Sequence, residues 1–217
     1  AELLQALLDK TEIPRIRISS LWPEFITDEV LEICKNTRIY PHFHYSVQSG
    51  SSNVLKKMAR HYDGEHMRSL LEKTKNLQRE DWVEVSIGAD LIIWFPGETE
   101  EDFQDTYNLV KDWLITKVHA FPFSAHNMWE SVPAGKFPDQ VDEKVKKERM
   151  WEIMNISDQV RDDFIDRNIW KEFQVLIENV STEDGQLKWK GWTQNYIEAD
   201  EKTFEKKFFS MADPYVN

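Results

Sequence analysis

Apolar positions in the opening octet AELLQALL (Leu3, Leu4, Ala6, Leu7, Leu8) recur at helical spacing. IPRIRISS then switches to alternation, with Ile16 and Ile18 apolar and Arg15 and Arg17 polar, so a helix gives way to a strand. Thr27 and Asp28 offer caps to a second helix carrying Val30, Leu31 and Cys34, and Pro41 precedes a β-like HFHYSV at 42–47. SGSS at 49–52 leads into the helical VLKKMAR, and Gly64 opens a longer helix through Met67, Leu70, Leu71 and Leu77. VEVSIGADLII at 83–93 is the next strand. Thr99 and Asp102 stand at capping-box spacing, and Phe103, Tyr107 and Val110 share one face of the helix they open. KVHAFPFS at 117–124 reads as a strand, and PAGKFP, with Pro133 and Pro138, as a loop.

Strand centres near Ile18, Tyr45, Ile87 and Val118 with helices between them imply an α/β fold of parallel strands joined by right-handed crossovers. The character changes after residue 140. A charged helix, VDEKVKKERMWEIMNISDQVRDDFIDR, runs from Val141 to about Arg167, followed by β-like FQVLIENV at 173–180 and WTQNYIEA at 192–199. The expected organisation is therefore an α/β unit over 1–140, a linker helix over 141–168 and a β unit over 169–217, whose final stretch EKTFEKKFFSMADPYVN has no clear period.

At 217 residues and 25.8 kDa the chain has room for one medium domain plus a small appendage. Its longest apolar stretch, LIIWFPG at 91–97, falls far short of the roughly 20 residues of a spanning helix, so a soluble chain with no membrane partner is expected. The single cysteine, Cys34, excludes an intrachain disulfide framework and any all-cysteine iron–sulfur site built from this chain alone, and points to the reducing cytoplasm. Net charge is −12, which disfavours nonspecific attraction to phosphate, so a nucleic-acid partner must meet a local basic patch. Lys56, Lys57, Arg60, Arg68, Lys73, Lys75 and Arg79 outnumber the acids between 51 and 80, as either such a patch or a solvated helical face. The opening AELLQALL has no initiator Met or signal-peptide pattern and reads like the middle of a helix, so the chain is expected to be a fragment.

His42 and His44 alternate onto one face of their strand, where paired imidazoles can ligate a metal or simply line a polar interior. No carboxylate or cysteine at recognisable ligand spacing accompanies them, so no metal site is assigned. Cys34 shares the apolar face of its helix with Val30 and Leu31, as a small buried thiol does, and no nucleophilic role is assigned to it. In parallel α/β folds ligands bind at the carboxyl ends of the strands, where Ser19, Ser20, Gln48, Ser49, Trp94, Pro96, Gly97, Phe121 and Ser124 fall.

RIRISSLWPEF, PHFHYSVQSGSSNVLKKMARHYDG, SIGADLIIWFPGETEEDF, KVHAFPFS, DQVDEKVKKER and GWTQNYIE resemble, in this order and spacing, the radical-SAM methylthiotransferases. The forms around PHFH and DQVDE most resemble the tRNA threonylcarbamoyladenosine branch. The resemblance covers about Leu3 to Glu198 and implies a partial parallel (β/α) barrel of radical-SAM type over 1–140, the linker helix, and an incomplete TRAM-like β segment. It further implies S-adenosylmethionine (SAM) and two 4Fe-4S clusters as cofactors, tRNA as partner, and methylthiolation of threonylcarbamoyladenosine next to the anticodon. In that reaction one SAM supplies a radical that removes hydrogen from adenine carbon 2, and another supplies the methyl group carried on the inserted sulfur. By the same resemblance Ser19, Ser20, Gln48, Arg60 and Phe121 line the SAM side of the barrel. Asp90 and Glu98 match motif positions too, though a carboxylate capping a turn accounts for them equally well. Another tRNA base, a ribosomal protein, or a cluster-less binding module remain as alternatives.

Two departures qualify the resemblance. With one cysteine, neither cluster motif is present, so no catalytic residue is assigned and the chain alone is expected to be inactive. Glycine is scarce, 7 residues or about 3% against a usual ~7%, while tryptophan reaches 9. Trp82, Trp94, Trp129 and Trp170 stand where relatives carry Gly, with Trp22 and Trp113 as further cases, whereas Trp192 matches an aromatic. Either the source reads UGA as glycine and these positions are Gly, or they are genuine tryptophans, in which case Trp94 crowds the SAM face.

Overall fold

Alternation along three segments builds the central parallel sheet. In this computed structural model, which describes residues 1–123, 143–183 and 186–200, β1 (His42–Gln48), β2 (Ser86–Ile93) and β3 (Lys117–Pro122) lie side by side in that order. His44 pairs with Gly88, and Asp90 with His119. Phe43, Tyr45 and Val47, with Ile87, Ala89, Leu91 and Ile93, point away from the polar face and are buried under the helices. Those helices are α3 (Ser52–Lys57) and α4 (Gly64–Lys75) after β1, and α5 (Glu100–Lys111) after β2. They contribute Leu55, Met67, Leu71, Phe103 and Leu109 to the same core. Ahead of the sheet come α1 (Glu2–Lys10) and α2 (Asp28–Ile33), whose N-cap Thr27 accepts from the Val30 N–H.

One carboxylate fixes the two helix starts that face the carboxyl ends of β1 and β2. Asp102 completes the Thr99 capping box of α5, and it also accepts from the Ser51 hydroxyl, which caps α3, and from Asn53 Nδ2 at 2.9 Å. Burial alone would raise the Asp102 carboxyl; the hydrogen bonds from Ser51, Thr99 and Asn53 outweigh it and hold the group below its ordinary range.

The long helix α6 (Glu143–Asn168) packs along β3, where Ser157 Oγ accepts the Val118 N–H at 3.1 Å. Beyond it β4 (Val175–Glu183), β5 (Gln186–Thr193) and β6 (Glu198–Asp200) form an antiparallel sheet. Its β5–β6 turn docks on the amino end of the parallel sheet. There Tyr196 stacks on His42 with ring centroids 4.3 Å apart, and Arg161 donates to the Tyr196 carbonyl at 2.6 Å. Asn195, fully buried, donates to the Glu84 carbonyl.

Three expectations change. The strand expected around Ile18 is reduced to isolated bridges, Ile16 with Ile39 and Leu21 with Tyr45. Between them Pro41 has no N–H to give and the His42 N–H turns back to the Tyr40 carbonyl, which interrupts the ladder. The strand expected over 83–93 begins only at Ser86. The single strand expected over 192–199 is broken by the turn through Asn195 and Tyr196 (φ 62°), and most of β5 precedes it. Ser124, Trp129, the PAGKFP loop, the boundary near Gln140 and the last stretch lie outside the described residues.

Among the described residues eight non-glycines adopt positive φ, and four of them are tryptophans: Trp82 (55°), Trp94 (73°), Trp113 (64°) and Trp170 (71°). Trp113 occupies the residue after the α5 C-cap, with its N–H on the Val110 carbonyl (2.9 Å) and the Leu114 N–H on the Leu109 carbonyl (3.1 Å). That pair of bonds is the Schellman closure, whose left-handed position normally holds glycine. The left-handed conformation costs an L-residue about 1–2 kcal/mol. Arg167 over the Trp113 ring and Lys146 over the Trp94 ring offset this by only about 0.5–1 kcal/mol each. Trp82 and Trp170, 84% and 78% exposed, gain almost nothing from burial.

Replacing Asp102 with Ala removes the shared acceptor of two helix starts. The expected loss is about 2 kcal/mol of unfolding free energy, roughly one cap for each helix, and urea denaturation of the variant checks it.

Candidate functional site at the inner face of the parallel sheet

The face of the parallel sheet turned away from the helical core is largely polar, with Ile92 and Phe121 as the apolar pair towards its carboxyl end. From the amino to the carboxyl end it carries His42, His44, Ser46 and Gln48 on β1, Ser86, Gly88, Asp90 and Ile92 on β2, and Lys117, His119 and Phe121 on β3. A closed parallel barrel fills this face with branched aliphatic side chains; a polar face needs a polar occupant or a web of internal hydrogen bonds.

Its amino end has such a web. His42 Nδ1 shares a hydrogen bond with Ser86 Oγ at 2.7 Å, Tyr196 covers its ring, and the Arg17 guanidinium lies 3.9 Å from the Tyr196 ring centroid. Burial first, then the positive charge of Arg17, His44, Arg161 and Lys117, pushes the His42 imidazole down to about 3, so it is neutral at physiological pH.

One layer further on, His44 Nε2 lies 2.9 Å from Asp90 Oδ1, and His119 Nδ1 lies 3.7 Å from the same oxygen. Gly88 makes this possible, because a Cβ there would stand 2.7 Å from His44 Nδ1. Among the described residues these three side chains, one from each strand, form the group that could hold a metal ion, their ligand atoms all within 4.8 Å of one another. The pair considered from spacing, His42 with His44, is thus split between two layers. His119 is the member that spacing did not single out, and its place opposite Asp90 in the β2–β3 register is what brings it in.

At the carboxyl rim Gln48, buried, has φ 68°; Ser20, exposed with φ 53°, does not reach that rim, because it precedes Leu21, which bridges to Tyr45 in the middle of β1. Ser19 is exposed beside Ser20, and Phe121 ends the β3 inner face half exposed. Trp94 follows β2 at the same rim, its N–H held by Glu98 Oε2 at 3.1 Å and its buried Nε1 without a hydrogen-bond partner. Arg60 lies 5.9 Å from the ring centroid of Trp22, two residues beyond Ser20, and lines a cleft of about 560 Å3 with Lys56, His61, Asp63 and His66.

Behind the rim, Glu98 is fully buried against Arg149 of α6, with Nη1 to Oε2 at 2.9 Å, while Glu98 Oε1 and Arg149 Nε find no partner. Burial pushes the Glu98 carboxyl up to about 7, although Arg149 and the N–H of residue 94 pull the other way. Cys34 is 1% exposed, and burial raises its thiol to about 11. A buried, protonated thiol standing alone does not fit an iron–sulfur cluster.

Residues 1–110 match the Radical SAM superfamily. The chain is 36% identical over 200 residues to threonylcarbamoyladenosine tRNA methylthiotransferase MtaB of Bacillus subtilis (strain 168), covering 91% of this chain and 43% of that protein. It is also 36% identical over 185 residues to tRNA-2-methylthio-N(6)-dimethylallyladenosine synthase of Clostridium botulinum (strain Hall), covering 85% of this chain and 40% of that one. The chain therefore spans less than half the length of either relative. Among solved structures, coproporphyrinogen III oxidase (HemN) from Escherichia coli, a radical SAM enzyme, matches with a TM-score of 0.55 at 20% identity over 73% of this chain and 36% of that one, a likeness of fold. No helix among the described residues is long and apolar enough to cross a membrane.

Two outcomes follow from the buried groups. The folded chain holds the Glu98 proton to higher pH than the unfolded chain does, so stability conferred below the unfolded value of 4.5 is lost as pH rises towards about 7. Urea midpoints across this range should fall with rising pH, and Glu98→Gln should flatten that slope. Anaerobic incubation of the 217-residue chain with iron and sulfide should leave it colourless; a stable brown product with stoichiometric iron would contradict the account of Cys34.

Proposed function

The chain belongs to the radical SAM superfamily, and we propose that it forms the later part of the catalytic barrel, the linker helix and the first strands of a TRAM-like domain in a tRNA methylthiotransferase. The observation that carries the proposal is the polar inner face, which in a barrel of this family faces a bound ligand rather than a packed interior. The reading takes the modified base to be threonylcarbamoyladenosine, supported by the relative of that name at 36% identity over 91% of the chain. A dimethylallyladenosine substrate is the second reading, supported by the other relative at the same identity over a somewhat shorter span.

In this proposal Ser19, Ser20, Gln48 and Phe121 meet SAM, Gln48 from the carboxyl end of β1 and Ser19 and Ser20 from the segment that precedes the Leu21 bridge to Tyr45. Bound beside an iron–sulfur cluster, that cofactor supplies the radical. The cluster's thiolates come from a part of the protein outside this chain, since Cys34 cannot provide them. His44, Asp90 and His119 lie together in the middle of the inner face, where an Asp–His pair offers both an acceptor and a donor to a base edge. The cleft in which Lys56 and Arg60 stand with Asp63 is the part of the basic stretch 51–80 that we assign to a tRNA phosphate, which a chain of net charge −12 can meet only at a local cluster of cations.

The test is made in the full-length protein, in cells lacking their own enzyme, by mass analysis of tRNA nucleosides. Gln48→Ala and Arg60→Ala should each lower the methylthiolated nucleoside by about tenfold or more, the loss of about one charged or buried hydrogen-bonding contact. Cys34→Ala should leave it near the parent level. Loss with Cys34→Ala alone would overturn the assignment, and the mass of the nucleoside that disappears decides between the two bases.

A further inference from the structure

Three independent observations meet at the tryptophans. The composition is skewed in opposite directions, with 7 glycines and 9 tryptophans in 217 residues. Half of the described tryptophans, Trp82, Trp94, Trp113 and Trp170, sit in the left-handed region, which only a few per cent of non-glycine residues enter and bulky ones hardly at all. Three of the four side chains, moreover, fit poorly, whereas Trp113 packs against the core under Arg167. Trp82 and Trp170 project into solvent, and Trp94 buries an indole N–H that bonds to nothing. The backbone around them is otherwise regular, as the Schellman closure at Trp113 and the Glu98 bond to the Trp94 N–H show. The conformation at these four sites is the one a glycine takes without cost, and the cation contacts of the Trp94 and Trp113 rings offset only part of the strain.

We infer that residues 82, 94, 113 and 170 are glycine in the protein as its own cell makes it, their codons being UGA read there as glycine. The four sites are far apart in sequence and unrelated in role: a turn before β2, the end of β2, the end of α5 and the end of α6. A local packing accident cannot account for all of them, whereas a reassigned codon acts at every site at once. The remaining described tryptophans carry no such demand. Trp22 has an extended backbone with φ −90°, and Trp192 lies in β5, where its ring stacks on Tyr196 at 4.3 Å. The backbone thus replaces the earlier set by adding 113 and making no requirement at 22, while 129 lies outside the described residues.

The inference does not depend on the enzymatic reading, and its test needs no activity. Peptide mass spectrometry on the protein isolated from its native source should find glycine at 82, 94, 113 and 170 and tryptophan at 192; tryptophan at any of the four overturns it. In parallel, the chain expressed in a standard host with Trp82→Gly, Trp94→Gly, Trp113→Gly and Trp170→Gly together should show a higher thermal midpoint than the tryptophan form. Each site is expected to shift the folding equilibrium by several-fold up to about tenfold. A midpoint equal to or below that of the tryptophan form also overturns the inference.

Discussion

The Asp102 carboxylate is the constraint on which the rim of the sheet depends. Two β-to-α turns leave the carboxyl ends of neighbouring strands, and each begins a helix whose first N–H groups lack partners within the helix. A single acidic side chain serves both, directly for α5 through Thr99 and through Ser51 and Asn53 for α3. Both positive helix ends thus converge on one negative charge, a favourable arrangement because the group is buried and screening is weak. The neighbouring bonds from Ser49 and Gly50 to Thr106 lock the same turn onto the next turn of α5. Gln48 and residue 94, which precede the two turns, are held as a consequence.

The parallel sheet then separates two chemistries by the parity of the chain. Odd-numbered residues of β1 and β2 pack against helices as an apolar layer, and even-numbered ones form the largely polar face. At the amino end this face is sealed by a piece of the antiparallel sheet, Tyr196, sandwiched between His42 and Trp192 and covered by Arg17. A neutral His42 is what lets two further cations, Arg17 and Arg161, stand nearby without a counter-charge in the stack. Sealed at its amino end, the sheet makes a cup with His44, Asp90 and His119 as its floor.

Much of this was legible in the sequence, and the parts that were not share a cause. The capping box at Thr99 and Asp102, the helix faces through Met67 and Leu71, and the strand ends at Gln48 and Phe121 are local patterns, and the structure has them where the patterns lie. Asp90 with His119, Glu98 with Arg149, and Tyr196 with His42 are pairs made across strands or between distant elements. No local periodicity specifies such pairs. His119 becomes informative only once the β2–β3 register is known, and Tyr196 only once a turn in left-handed conformation splits what reads as one alternating strand. Ile18 fails for the opposite reason: its alternation is genuine, but Pro41 and the turned-back His42 N–H deny it a partner ladder.

The rim shows why backbone conformation, more than side-chain identity, carries information at this site. Two successive parallel strands end in a left-handed residue: Gln48 at the end of β1 and residue 94 just beyond β2. A left-handed residue there turns the chain sharply away from the strand axis and into the following helix. Strained conformations persist in a fold when their surroundings over-determine them, and here the Asp102 knot and the Glu98 bond do so. Gln48 brings a polar group to the rim in return for the strain. An indole at 94 brings bulk and a buried, unpaired N–H to the same place, so of the two rim positions it is the one whose side chain works against the site its backbone helps to form.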